Sequence, residues 1–422
     1  MKDRIIHNFF LVLLALLPIS ILIGPGVSLA NIIIFDLFFV IFLIHKKDYL
    51  WIGQNIVKIL FFFYLYLIIN TFISLNYELS IYRNFGFLRL IILFIGINYF
   101  FNKNNDLNKI LKVWTIVILI VVIDIFIEKI SGTNILGYST PNPSGSQSVE
   151  RIVSFFEDEA IPGSYIYAFS FILIGFLLLK MDKSKIKSHI VFLVLSVILI
   201  VSVIVTGERS NSFRFLISYF LFLMLFYDIS ILKKFLIFST IISTIFILLA
   251  QDEYLKSRAF KTTFVLADSY VETFQNPDPF HHGGNQYAEL SRSGFEVFMK
   301  YPYFGVGNKN YRFETCNNNA NIYYYCETHP HQVYFEFLSE HGLIGTFILF
   351  ILFFLIFFNS IKKIFLEKNY IALGCFLYLL VDFIPLLPSG SFFSDYNLTL
   401  FFINLSIMYA SSKKLNIFNY DK

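Results

Sequence analysis

The sequence predicts an all-α membrane protein: a polytopic membrane helix bundle of about 12 transmembrane helices, with a helical extracytoplasmic cap formed by one long loop. Three observations predict it. Apolar runs of about 20 residues, the length that crosses a hydrocarbon core, recur along the chain. The 422 residues are 57% hydrophobic and 19% aromatic but only 15% charged, a balance no soluble domain has. Lysines gather in alternate loops, as they do on the cytoplasmic side of a membrane. Such a bundle needs no large soluble core, because each helix satisfies its own backbone in lipid. The net charge of +4 is small, so its distribution counts for more than its size.

Lys2 and Arg4 precede the first apolar run, 5–23. It is longer than the roughly 7–15 residues of a signal-peptide core and no A-x-A site follows, so it reads as a retained helix. Further spans follow at 28–45, 56–75, 85–101, 110–130, 162–180, 189–206, 212–227, 233–250, 332–359, 369–387 and 397–411. The run 332–359 exceeds one bilayer crossing, so it tilts or starts outside the bilayer. Lys46, Lys47, Lys103, Lys109, Lys180, Lys183, Lys185, Lys187, Lys233, Lys234, Lys362, Lys363 and Lys368 fall on one side of this layout, together with both termini. That side is cytoplasmic. Residues 1–250 carry the first nine helices and an outer loop, 131–161, with a turn at Pro141-Asn142-Pro143. Residues 251–331 form the cap, with helical spacing at 254–274 and 287–299 and a turn at 301–307. Residues 332–422 hold the last three helices.

Arginines show the reverse bias. Arg83, Arg89, Arg151, Arg209, Arg214, Arg258, Arg292 and Arg312 all lie in or just beneath the outer loops. The planar guanidinium fork suits phosphate or carboxylate, so the set points to a shared anionic ligand on the outer face. Pairing with Asp and Glu or with lipid headgroups stays open for each arginine alone. Cys375 lies in an apolar run; Cys316 and Cys326 share a polar segment and become a disulfide candidate if that segment is extracytoplasmic, with two free thiols as the alternative.

There is no P-loop and no dinucleotide fingerprint, and the cytoplasmic loops are too short for a nucleotide domain. Any chemical energy therefore resides in the substrate. Three outer segments collect polar groups. Thr206-Gly207-Glu208-Arg209 is a tight turn in which Glu208 and Arg209 can also be a structural ion pair. Arg292 opens the second cap helix, facing the membrane if Phe295 and Phe298 do, and a surface arginine is the alternative. His329-Pro330-His331-Gln332 precedes the span at 332–359. Pro330 suits a helix's first turn, which places His331 near the N-terminus, where a near-neutral imidazole can take a proton from a hydroxyl. His281 and His282 could join His329 and His331 around a metal, but the spacing matches no tight metal motif, so no metal and no cofactor is expected. His341 reads as a packing residue.

These segments, in this order, resemble the O-antigen ligase and O-antigen polymerase family of bacterial membrane glycosyltransferases. The matching pieces are Arg151-Ile152-Val153-Ser154-Phe155-Phe156-Glu157-Asp158-Glu159, Thr206-Gly207-Glu208-Arg209, Arg292 with Pro302-Tyr303-Phe304-Gly305-Val306-Gly307, and His329-Pro330-His331-Gln332 with Glu340-His341-Gly342-Leu343-Ile344-Gly345. Gln332 stands where the family's signature has Asn. The resemblance implies metal-independent, inverting transfer of a glycan from undecaprenyl pyrophosphate at the periplasmic face of the inner membrane. It also implies an acceptor hydroxyl, on lipid A core for a ligase or on a growing glycan for a polymerase, and no nucleic acid. It assigns Arg209, Arg292 and Arg151 to the pyrophosphate, His331 and His329 to catalysis, and Glu208, Glu159 and Gln332 to support. The compact histidine stretch looks closer to the ligase branch. A polysaccharide transporter or flippase, or a scaffold for envelope assembly, are the readings from other classes.

Overall fold

The structure, a computed structural model, describes residues 2–102, 104–140, 151–182, 186–260, 268, 271–275, 286–317, 321–385 and 387–419. Among these residues every regular element is a helix. Among the described residues, eight helices are long and apolar enough to cross a membrane. Arg4–Ala15 and Leu17–Ile23 pass the same test together but are bent by 44°, giving up to nine. Pro18, in the first turn after the bend, has no N–H to continue the ladder across it.

The other three expected spans are helical but do not meet that test. Arg209–Phe226 carries Arg209, Asn211 and Arg214 in its opening turns. Tyr370–Val381 has 12 residues and Asp395–Ser411 has 17. Both of these are buried almost throughout, and a helix shielded by other helices is released from the length and polarity that lipid demands. Pro162–Lys180, 83% buried over its apolar stretch, packs against both and belongs to the centre, whereas Ile231–Gln251, 11% buried, lies at the rim.

The expected span at 332–359 is a longer helix, Val333–Glu367, broken at Gly342 (φ +62°, ψ −171°). The break would leave backbone groups unpaired inside the bundle. The turn 302–307 fills it. Val306 and Gly307 N–H donate to the carbonyls of Ser339 and Glu340 at 2.9 and 2.8 Å, and Leu343 and Ile344 N–H donate to Pro302 and Tyr303 carbonyls at 2.7 and 3.0 Å. The two glycine-containing motifs are thus the two halves of one joint. A Cβ on Gly342 would lie 2.4 Å from the Tyr303 carbonyl carbon and 2.5 Å from the Gly305 nitrogen. Gly342→Ala therefore combines a left-handed backbone with a backbone collision. We expect it to lower stability by roughly 3 kcal/mol or more, read as a fall in the thermal unfolding midpoint of the purified protein.

Between Ile231–Gln251 and Val333–Glu367 the chain forms Glu253–Ala259, Gln286–Lys300 and Tyr311–Asn317. The first is shorter than the expected 254–274; residues 271–275 are helical again, and most residues between lie outside those described. Gln286–Lys300 packs on Val333–Glu367, with Gly294 close against Pro330 and Phe335. Cys316 and Cys326 are joined by a disulfide, and Cys375 is a buried free thiol. The turn at 141–146 and His281 and His282 lie outside the described residues.

Candidate active site

Gln332, not Pro330, starts the Val333–Glu367 helix. Its side-chain oxygen accepts from the N–H groups of Tyr334 and Phe335 at 2.8 and 3.0 Å, so Pro330 and His331 precede the first turn instead of forming it. His331 is left-handed, φ +53°, a conformation that costs a non-glycine residue about 1–2 kcal/mol. Its carbonyl accepts from Ser389 N–H at 2.8 Å, which helps hold it there. The rings of His329 and His331 lie with centroids 3.9 Å apart. His329 is buried; its Nδ1 meets Thr328 Oγ1 at 2.9 Å, and its Nε2 has no hydrogen-bond partner among the described residues. His331 is half-buried and meets the Tyr287 ring edge-on at 5.8 Å.

Burial holds the His329 pKa down to about 3, helped by the charges of His331 and Lys309. Burial also lowers His331, against the opposite pull of Glu327 and of the Ser389 backbone. Both imidazoles are neutral near pH 7, and a neutral imidazole is the form that accepts a proton.

The loop that grips His331 is itself anchored. Ser391 Oγ donates to Glu336 Oε1 at 2.6 Å and accepts from Lys309 Nζ at 2.6 Å, and Phe392 N–H donates to Glu336 Oε2 at 2.9 Å. Glu336 is fully buried one turn into the helix. Glu336→Gln keeps the shape but turns one acceptor into a donor facing a donor. We expect a stability loss of about 1–3 kcal/mol, measured by thermal unfolding.

The arginines divide. Arg83 and Arg89 both pair with Asp395, and Arg214 lies 3.9 Å from Asp382. The expectation of one shared ligand for the whole set does not hold for these three, whose charge faces carboxylates of the bundle. Arg209, Arg258 and Arg151 form a second group. Arg258 and Arg151 are within electrostatic reach of Arg209, and so are Tyr254 and Tyr287. Arg258 Nε donates to the Gly207 carbonyl at 3.2 Å, and Arg151 Nη2 to the Ala160 carbonyl at 2.7 Å. Tyr287, whose ring His331 meets, is thus also within electrostatic reach of Arg209. Arg292 has other contacts: the Thr273 carbonyl, Glu296 Oε1 at 3.8 Å and the face of Tyr323 at 3.9 Å.

Glu208 is not simply the ion partner of Arg209. Its carboxylate caps the neighbouring Pro162–Lys180 helix, accepting from Gly163 and Ser164 N–H at 2.5 and 3.1 Å, and from Asn211 Nδ2 at 2.7 Å. Burial raises its pKa against the pull of these donors and of Arg151. Ile152 N–H meets the Thr206 carbonyl at 3.4 Å, and Glu128 takes the N–H groups of Val153 and Ser154 at 3.0 and 2.6 Å. The Arg151 loop, the Thr206–Arg209 turn and the start of Pro162–Lys180 thus meet at one place. Glu159 is exposed on that loop.

Tyr287 and Glu336 escape a reading by motif. Glu336 does carry a signal, an acid within an apolar helix; Tyr287 shows only as an apolar position in the helical spacing of 287–299. Among the described residues no three His, Cys, Asp or Glu side chains converge as a metal site would need. What the arrangement can do is accept a proton at His331 and gather positive charge around Gly207 from Arg209 and Arg258. Residues 163–350 match a family model described as O-antigen ligase, a stretch that includes Glu208, Arg209, Arg292, His329, His331 and Gln332 and stops short of Arg151 and Glu159. No curated protein matches the chain.

Proposed function

We propose, for a chain whose residues 163–350 are an O-antigen ligase family domain, that it moves a glycan from undecaprenyl pyrophosphate to an acceptor hydroxyl on lipid A core. The observation that carries the reading is His331: a neutral imidazole in a left-handed backbone, whose neighbour Tyr287 is also within electrostatic reach of Arg209.

In this reading His331 takes the proton of the acceptor hydroxyl. The acceptor oxygen attacks the anomeric carbon from the face opposite the phosphate, and the bond from that carbon to the phosphate oxygen breaks. The electron pair leaves with undecaprenyl pyrophosphate, and the configuration inverts. No metal takes part. Arg209, Arg258 and Arg151 meet the charge that develops on the leaving group; donors fixed beforehand stabilise such charge best. Arg292 joins them only by giving up its contacts with Thr273 and Tyr323. His329 backs His331, Gln332 sets the helix start, and Glu208 fixes the turn that carries Arg209. Glu159 stays on the loop rim as a supporting group. The lysine distribution supports both termini in the cytoplasm, the active end and the 251–331 cap in the periplasm, and the inner membrane as the location.

Deletion of the gene, complemented with wild-type chain, tests this on a lipopolysaccharide gel. Loss of all attached O-antigen, restored by wild type, is the expected result. A single attached repeat would make the chain a polymerase instead. An unchanged ladder would overturn both and bring a transporter or scaffold forward.

A further inference from the structure

Helix Asn104–Ser131 carries two acids near its outer end, Asp124 and Glu128, both fully buried and spaced to share one face. Neither takes part in the chemistry described above. An acid within an apolar helix is costly unless it is paired, and these two are paired oxygen by oxygen. Asp124 Oδ1 accepts from Ile135 N–H at 2.9 Å, and Oδ2 from Ser154 Oγ at 2.6 Å. Glu128 Oε1 accepts from Val153 N–H at 3.0 Å, and Oε2 from Ser154 N–H at 2.6 Å. Four donors meet four carboxylate oxygens, and three of the donors belong to Val153 and Ser154. A carboxylate only accepts, whereas glutamine at position 128 would set an N–H against an N–H.

The same segment is held from other sides. Asn134 Nδ2 donates to the Ser154 carbonyl at 2.5 Å, so the N–H, the hydroxyl and the carbonyl of Ser154 are all engaged. Thr140 Oγ1 donates to the Arg151 carbonyl at 2.9 Å. Ser154 is left-handed, φ +49°, a conformation that a non-glycine residue keeps only where its surroundings impose it. Three residues before it stands Arg151. Its Nη2 donates to the Ala160 carbonyl, but its Nε is buried and has no hydrogen-bond partner among the described residues. Leaving a buried N–H unpaired is costly, so this donor calls for an acceptor from outside the chain.

We propose that Asp124 and Glu128 are positioning residues: they clamp Ser154 so that Arg151 is fixed in place before the lipid pyrophosphate arrives. Donors fixed beforehand need no reordering when the anion binds. The inference rests on the transferase reading, in which Arg151 meets the leaving group. It extends the site to residues 124–154, outside the family-matched stretch 163–350.

The test is a double-mutant cycle on the full chain in phosphatidylcholine nanodiscs. Undecaprenyl pyrophosphate is titrated onto each variant, and the thermal unfolding midpoint is recorded beside it. Arg151→Ala should raise Kd about tenfold. Glu128→Gln, and the milder Ser154→Ala should the first fail to fold, should raise it about threefold or more. In the Arg151→Ala background the same clamp variant should change Kd by less than about twofold, yet lower the midpoint as much as it does alone. A clamp that only stabilises the fold would lower the midpoint and leave Kd unchanged in both backgrounds. That result overturns the inference, and so do Kd losses that add, or an Arg151→Ala chain that binds like wild type. A phospholipid headgroup offers the same phosphate chemistry, so phosphatidylglycerol is titrated as a competitor. Equal competition would assign Arg151 to headgroups and also overturn the inference. Glycan transfer is assayed separately in the same discs. Coupled binding losses without any transfer by wild-type protein would keep the clamp and remove the transferase reading. Transfer with additive binding losses would do the reverse.

Discussion

His331→Ala is expected to lower glycan transfer by about 10²–10⁴-fold, the usual contribution of a positioned general base. The loss should appear in kcat, with protein levels in the membrane unchanged. His331→Asn and His331→Gly separate chemistry from folding, because both residues tolerate the left-handed backbone found at this position. Both should melt no lower than His331→Ala and be as inactive. A near-wild-type rate in either variant would remove His331 as the base. The pH profile offers an independent reading. Burial holds the His331 pKa below the ordinary 6.5, so the imidazole stays neutral, and the base competent, as pH falls through 6.5. The acid limb of kcat/KM should therefore lie below pH 6.5 and vanish in the variants. The same depression has a cost for folding: the unfolded chain takes up protons at the ordinary value and the folded chain does not, so stability declines as pH drops from about 6.5 toward the His329 value of about 3.

Arg209→Lys is expected to be nearly as damaging as Arg209→Ala, with kcat/KM lower by about 10²–10³-fold. Lysine keeps the charge but loses the planar fork that holds two phosphate oxygens at once. Titration of purified protein with undecaprenyl pyrophosphate should show weakened binding in both variants. Wild-type transfer by Arg209→Lys would count against the pyrophosphate assignment. Arg258→Lys is the informative companion, since Arg258 also props the Gly207 carbonyl. If Arg209 and Arg258 grip one pyrophosphate, the double variant should lose less than the sum of the single losses in free energy.

The sequence by itself determined that the chain is a stack of membrane helices, and it marked Thr206–Arg209 and His329–Gln332 as candidate sites. Those properties are local: hydropathy sums over neighbouring residues, and a motif is a run of neighbours. It also put Gly305 and Gly342 among the notable positions, without saying that each fills the space the other leaves. The partners of its charges were beyond it. Arg89 finds Asp395 from 306 residues away, Glu208 caps a helix by accepting from Gly163, 45 residues earlier, and Ser391 reaches back 55 residues to Glu336. Only the tertiary structure decided these. An arginine in a sequence has equal claim to every carboxylate and every phosphate, and packing alone brings one of them within reach. Packing also decided that Tyr287, in the sequence only an apolar position of a helical pattern, meets the His331 ring, because a ring is placed by what surrounds it and not by what precedes it in the chain.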